Sequence, residues 1–159
     1  MASTFLSGDI IHATTDRSGR RALAFGADCS GTMNSGIAVA LKKQWPAFAE
    51  AFFAHGSTGK MQVGDIFTWR DGELAIYALG IQKGSAKPKF SSFERALKTA
   101  IEHAAAEGIH SLLLPRLTGG KSGLDWTRAK KLLTELGTGS ATQLVVFEKF
   151  VRNTEKPAA

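Results

Sequence analysis

Residues 22–41, ALAFGADCSGTMNSGIAVAL, carry the clearest indication of the fold. The first four residues form a continuous apolar run, which is typical of a short buried strand. Small and polar residues then fill positions 26–36, and such a composition predicts a loop. From Ile37 the apolar residues Ile37, Ala40 and Leu41 share one face at helical spacing. The stretch therefore predicts a strand, a small-residue loop and a helix in immediate succession.

The flanking sequence repeats this alternation of strands and helices. Strands are predicted over 4–11, 111–114 and 144–147, and residues 65–81 predict a hairpin that turns at Asp71-Gly72. Ser91 with Glu94 three residues later is a capping box, which predicts a helix that begins at Ser91. Asp125 is a good N-cap for a last helix. The pattern predicts an α/β fold, with helices layered on a mixed sheet.

A second glycine-rich segment, Leu117-Thr118-Gly119-Gly120-Lys121-Ser122-Gly123, also runs from a strand towards a helix. Free N–H groups and the dipole at a helix start attract anions, and glycine lets a ligand approach the main chain. The end of an NTPase P-loop is resembled by Gly120-Lys121-Ser122. The full P-loop pattern requires a glycine five residues before Gly120, but this chain has Pro115 at that position, and proline has no N–H to donate. Both loops are candidate phosphate sites, and ordinary loops of small residues are the alternative.

The charge balance favours anionic ligands. Twenty Lys and Arg residues against fourteen Asp and Glu residues give a net charge of +6. A lysine-rich surface that only aids solubility is the alternative interpretation. A third interpretation is that basic clusters bind the phosphates of a nucleic acid. The residues of these clusters are Arg17, Arg20, Arg21, Lys42, Lys43, Lys130 and Lys131.

Cysteine and histidine usage argues against a disulfide framework or a metal site. Cys29 is the single cysteine, and the four histidines show no metal-ligand spacing. No apolar run approaches the roughly 18 residues of a membrane span, and no secretory signal is visible. We expect a cytoplasmic protein with no metal, no cofactor and no membrane contact.

Four short motifs together resemble a macrodomain: Gly8-Asp9-Ile10, Met33-Asn34-Ser35-Gly36-Ile37-Ala38, Pro115-Arg116-Leu117 and Leu124-Asp125-Trp126. The similarity is to the branch typified by the terminal ADP-ribose protein glycohydrolase and the antitoxins that reverse DNA ADP-ribosylation, and it extends over about residues 4–147. It implies a three-layer α/β/α sandwich around a mixed, mostly parallel sheet. It also implies an ADP-ribose cleft at the edge of that sheet. We expect one monomeric domain over 1–151 and a disordered tail over 152–159.

The resemblance also implies which residues contact the ligand. Asp9 would hold the adenine amino group, with Ile10 beside it and Phe147 packed against the base. The distal ribose and pyrophosphate would be lined by Met33, Asn34, Ser35, Gly36, Ile37 and Ala38. The diphosphate would be wrapped from the other side by Leu117, Thr118, Gly119, Gly120, Lys121, Ser122 and Gly123.

The catalytic positions depart from that branch. A lysine at the end of the mid-chain strand there attacks the ribose anomeric carbon, and an acid in the second loop assists. Gln82 stands at the lysine position with Lys83 beside it, and Ser122 stands at the acid position, three residues before Asp125. If the chain is an enzyme acting on ADP-ribosylated protein or nucleic acid, we expect Lys83 and Asp125 to be its catalytic residues. The alternative is a reader that binds ADP-ribose without cleaving it.

Overall fold

The computed structural model describes residues 2–34, 36–117 and 124–153. Its elements in chain order are β1 (Thr4–Gly8), α1 (Ile10–Asp16), β2 (Arg21–Asp28), α2 (Ile37–Gln44), α3 (Pro46–Gly56), β3 (Ile66–Asp71), β4 (Leu74–Gln82), α4 (Phe90–Ala106), β5 (Ser111–Pro115), α5 (Trp126–Thr138) and β6 (Gln143–Phe150). The strands form one six-stranded sheet in the order β1-β6-β5-β2-β4-β3. Every neighbouring pair is parallel except β3 and β4. The predicted α/β fold around a mixed, mostly parallel sheet is confirmed.

Two apolar layers cover the faces of the sheet because side chains alternate along each strand. On β2, Ala22 and Ala24 face the layer built with α4 and α5. Leu23 and Phe25 face the layer built with α1, α2 and α3. Strand β4 lies between both layers and is buried from Leu74 to Ile81, as its continuous apolar sequence requires. The result is an α/β/α sandwich.

Two predicted boundaries, a hairpin turn and a helix start, are confirmed by the local hydrogen bonds and strand pairing. The Asp71-Gly72 turn joins β3 to β4 with Asp71 opposite Leu74, so the predicted hairpin is confirmed. Asp125 caps α5 by accepting a hydrogen bond from the Thr127 N–H (3.0 Å), also as predicted.

Two predicted boundaries are wrong. Strand β1 ends at Gly8 rather than at residue 11, because Asp9 accepts a hydrogen bond from the His12 N–H (3.1 Å) and starts helix α1. Helix α4 begins at Phe90 and has no side-chain cap, so the capping box at Ser91 does not form. The aromatic pair Phe90 and Phe93 packs at 5.4 Å between ring centroids at that helix start.

The five parallel strands end at one edge, which is where the glycine-rich loops leave the sheet. The loop after β2 is held there by the end of α3. A Cβ atom added to Gly56 would lie 2.3 Å from the Ser30 carbonyl carbon and 2.4 Å from the Gly31 nitrogen. Only a glycine allows this close approach of helix to loop. Residues 118–123 of the second loop lie outside the described residues, as do residues 154–159 of the predicted tail.

No helix within the described ranges is long and apolar enough to cross a membrane.

The Gly56 contact predicts a sharp difference between two glycine substitutions. Gly56→Ala places a methyl group against loop backbone and should lower the free energy of unfolding by about 2 kcal/mol or more. Gly139→Ala is the control, because a Cβ there meets nothing within 4 Å in the described part of the chain, and its change should stay within about 0.5 kcal/mol. Urea unfolding followed by circular dichroism measures both. Equal stabilities for the two variants would contradict the proposed packing of α3 on the loop.

Candidate functional site at the carboxyl edge of the sheet

A cavity of about 370 Å³ lies where β1, β5 and β6 end, and we call it the outer cavity. Its described lining residues are mostly apolar: Ile10, Gly36, Ile37, Ala40, Pro115, Arg116, Phe147, Glu148 and Phe150. Phe150 keeps 55% of its surface exposed at the rim. Glu148 pairs with Lys130 at 2.7 Å, and this hydrogen bond holds the pKa of the Glu148 carboxyl below its usual value. The outer cavity is therefore an apolar slot with charged groups at its margin.

A smaller and more polar cavity of about 170 Å³ lies where β2 and β4 end, and we call it the inner cavity. Its described lining residues are Phe25, Gly26, Ala27, Asp28, Thr32, Asn34, Ala38, Ile81 and Gln82. Asp28, Thr32, Asn34 and Gln82 supply a carboxylate, a hydroxyl and two amides. Such a set suits a ligand rich in hydroxyl groups.

The start of helix α2 separates the two cavities. Gly36 and Ile37 line the outer cavity, whereas Ala38 lines the inner one. Gly36 is the N-cap, with φ +59° and ψ −140°, and none of the described side chains caps the helix. The first N–H groups of a helix have no intrahelical acceptor and favour an anion. An anion at this point would lie between an apolar slot and a polar pocket.

A tight turn after β2 shapes the inner cavity. The Cys29 N–H donates to the Gln82 carbonyl (2.8 Å), and the Ser30 N–H donates to Asp28 Oδ1 (2.9 Å). The pairing with β4 slips at this point, since Ala27 lies opposite Gly80 but Asp28 lies opposite Gln82. Ile81 is the extra residue, and both Ile81 and Gln82 consequently line the cavity.

Neither of the residues predicted to be catalytic is among those that line the two cavities. Lys83 Nζ donates to the carbonyl of Gly59 (3.2 Å), in the connection between α3 and β3. Gln82, its neighbour, is the residue that lines the inner cavity. Asp125 is exposed and caps α5, and it lines neither cavity. Lys83 and Asp125 each bond to the main chain of their own surroundings, and their catalytic roles stay predictions.

Six of the predicted ligand residues line the outer and inner cavities, which together we call the groove. They are Ile10, Gly36, Ile37 and Phe147 at the outer cavity and Asn34 and Ala38 at the inner one. Asp9 adjoins the outer cavity at the start of α1, and its Oδ2 also accepts a hydrogen bond from the Asn153 N–H (3.1 Å).

Other predicted contacts lie elsewhere. The Met33 and Leu117 side chains are buried in the two core layers and line neither cavity. Outside the described residues lie Ser35, Thr118, Gly119, Gly120, Lys121, Ser122 and Gly123.

Twelve lining residues were not among the ligand contacts predicted from the sequence: Phe25, Gly26, Ala27, Asp28, Thr32, Ala40, Ile81, Gln82, Pro115, Arg116, Glu148 and Phe150. Asp28 carried a usable signal, because it is an acidic residue at the carboxyl end of a buried apolar strand, where α/β proteins bind ligands. No sequence feature indicated Phe150, because the exposure of its side chain depends on where β6 ends.

The predicted basic clusters are partly engaged within the protein. Arg20 donates to the Glu107 carbonyl (2.6 Å), and Arg21 donates to the Thr14 carbonyl (2.7 Å). Lys130 is the partner of Glu148. Lys42 and Lys43 are exposed at the end of α2. Nucleic-acid binding through these clusters stays a prediction.

Within the described ranges, no three His, Cys, Asp or Glu side chains group together as a metal site would require.

A model of the Macro domain family matches residues 25–133, and the chain belongs to this family. The human ADP-ribose glycohydrolase OARD1 is 24% identical over 144 residues, which cover 91% of this chain and 90% of that protein. A DNA ADP-ribosyl glycohydrolase from Thermus aquaticus is 26% identical over 136 residues, which cover 82% of this chain and 36% of that protein. The chain thus spans about a third of the bacterial relative's length.

Two solved structures share the fold. The macrodomain of Thermus aquaticus DarG superposes with a TM-score of 0.79 at 23% identity, over 91% of this chain and 97% of that one. Thermosipho africanus DarTG in complex with ADP-ribose gives a TM-score of 0.71 at 18% identity, over 87% of this chain and 39% of that one. The resemblance seen in the motifs is confirmed.

The thiol of Cys29 should be inert in the folded protein. Cys29 is 1% exposed, and burial, followed by the charge of Asp28, raises its pKa to about 11. The reactive thiolate is therefore scarce at pH 8. Iodoacetamide at pH 8 should label the unfolded protein fully and the native protein at least tenfold more slowly. Equal labelling rates in the two states would show that the turn after β2 is open.

Proposed function

We propose that this chain binds ADP-ribose across the two cavities. The adenosine lies in the outer cavity, the diphosphate lies on the N-terminus of α2, and the distal ribose lies in the inner cavity. The observation that carries the proposal is the start of α2, which no described side chain caps, between an apolar and a polar cavity. This order of an apolar, an anion-binding and a polar subsite matches the order of adenosine, diphosphate and ribose along ADP-ribose.

The outer cavity suits a purine. Ile10, Ile37 and Phe147 offer apolar surface for a flat base, and Phe150 presents an exposed ring at the rim. Asp9 adds a carboxylate that can accept hydrogen bonds from the amino group of adenine.

The inner cavity suits a pentose. Its volume of about 170 Å³ is too small for a second base and sugar together, and its polar groups match vicinal hydroxyls. The anomeric carbon of the distal ribose, to which an ADP-ribosyl acceptor is attached, would lie in this cavity.

The relatives support the same ligand. One is named an ADP-ribose glycohydrolase, and one structure of the same fold was solved with ADP-ribose. Their names also make cleavage of an ADP-ribosyl bond the second candidate function. The inner cavity favours it, since a reaction at the anomeric carbon needs polar groups placed around that carbon.

Calorimetry with purified protein tests the binding proposal. ADP-ribose should bind at least tenfold more tightly than AMP, because AMP leaves the inner cavity empty, and a tenfold ratio corresponds to about 1.4 kcal/mol. No heat with ADP-ribose, or equal affinity for AMP, would contradict the proposal.

A pair of glycine variants tests where the ligand lies. Gly36 and Gly72 both have positive φ, +59° and +61°, and a Cβ on either meets no atom of the described residues within 4 Å. Gly36→Ala and Gly72→Ala should therefore each lose about 1–3 kcal/mol of stability through backbone strain. Gly36→Ala alone should weaken ADP-ribose binding at least tenfold, since its methyl group enters the groove. Equal affinities in folded samples of both variants would remove α2 from the site.

A further inference from the structure

The inner cavity contains a carboxylate that the predicted catalytic residues do not include. Among the described residues that line it, Asp28 alone carries an ionisable side chain. It is the last residue of β2 and is half-buried. The titratable candidates expected from the sequence, Lys83 and Asp125, are engaged elsewhere.

The turn after β2 fixes the Asp28 carboxylate in place. Its Oδ1 accepts the Ser30 N–H at 2.9 Å, and its main-chain carbonyl accepts the Gly31 N–H at 3.0 Å. Within the described part of the chain, Oδ2 accepts no hydrogen bond. One oxygen is thus held by the backbone while the other is available to a ligand or a water molecule.

Neighbouring groups complete a site for a ribose. Thr32 and Asn34 line the inner cavity together with Gln82, which lies at the end of β4. Gln82 Nε2 donates to the Gly84 carbonyl (3.2 Å), which fixes the amide near the cavity. Amides and a hydroxyl can hold ribose hydroxyls, but they are poor proton acceptors at neutral pH. Of these groups, the Asp28 carboxylate is the one suited to proton transfer.

We propose that Asp28 is the general base that activates water for cleavage of an ADP-ribosyl bond in the inner cavity. This rests on the proposed ADP-ribose site. The water oxygen forms a bond to the anomeric carbon while the bond from that carbon to the acceptor breaks. The electron pair leaves with the acceptor, and the water proton passes to Asp28 Oδ2 and then to solvent. Carboxylate bases serve this role in glycoside hydrolysis.

The proposed step determines which substrate can be used to test it. An ADP-ribosyl ester releases its acceptor as a carboxylate, which needs no proton from the protein. We therefore choose ADP-ribose esterified at the anomeric carbon to a glutamate side chain in a peptide. Chromatography of released ADP-ribose gives the rate.

Three variants make the test. Asp28→Asn keeps an oxygen for the Ser30 N–H, so ADP-ribose affinity should stay within about threefold while kcat falls about 100-fold, the range seen for lost general bases. The wild-type rate should decline at acid pH, and Asp28→Asn should lack that decline. Formate should restore part of the activity to Asp28→Ala, which a purely structural role would not allow. Asp71→Asn is the matched control, because Asp71 is exposed at the opposite edge of the sheet, and it should keep full activity.

The outcomes separate this proposal from the binding proposal. If wild-type protein binds ADP-ribose but does not cleave the ester, the base assignment is overturned and the binding site stands. Cleavage by Asp28→Asn within threefold of wild type also overturns it. If ADP-ribose does not bind at all, both proposals fail.

Discussion

The turn at residues 28–31 is the constraint on which the site depends. Three main-chain N–H groups, those of Cys29, Ser30 and Gly31, are bonded either to Asp28 or to the Gln82 carbonyl. These bonds fix the direction in which the chain leaves the sheet. The end of α3 then holds the turn from outside, because Gly56 lies against its backbone without a side chain. The chain is thereby brought across the sheet edge to the start of α2, and the groove becomes two cavities of different polarity.

That division has chemical consequences. A single open groove would recognise a phosphate through helix N–H groups and little else. Two cavities on either side of the same helix start can select a ligand with a flat apolar group at one end and a sugar at the other. The fold supplies the apolar half through the ends of β1, β5 and β6 and the polar half through the ends of β2 and β4. The residues of the loops, positioned by the sheet, therefore determine which ligand the protein binds.

Much of the fold could be predicted from the sequence, because it depends on local patterns. The Asp71-Gly72 turn of the hairpin and the Asp125 cap each express one local preference, and each is confirmed. Helix α1 was missed because it has seven residues, four of them β-branched, and two buried positions, so its composition indicates a strand. The predicted capping box does not form because α4 already begins at Phe90, one residue before Ser91, where the ring of Phe90 packs against Phe93.

The site was harder to predict, for a reason that concerns register. Whether Gln82 or Lys83 faces the groove depends on a one-residue slip between β2 and β4, which no sequence pattern marks. The same slip brings Ile81 and Gln82 to one cavity and places Asp28 opposite Gln82. Glycines and strand ends indicated the right edge of the sheet, but only the pairing shows which side chains meet there.

A crystal structure of the protein soaked with ADP-ribose would show which part of the ligand each cavity holds. We expect the base against Phe147 in the outer cavity, the diphosphate on the N–H groups of Ile37 and Ala38, and the terminal ribose beside Asp28. A ligand bound outside these cavities, or one with base and ribose exchanged between them, would contradict this expectation.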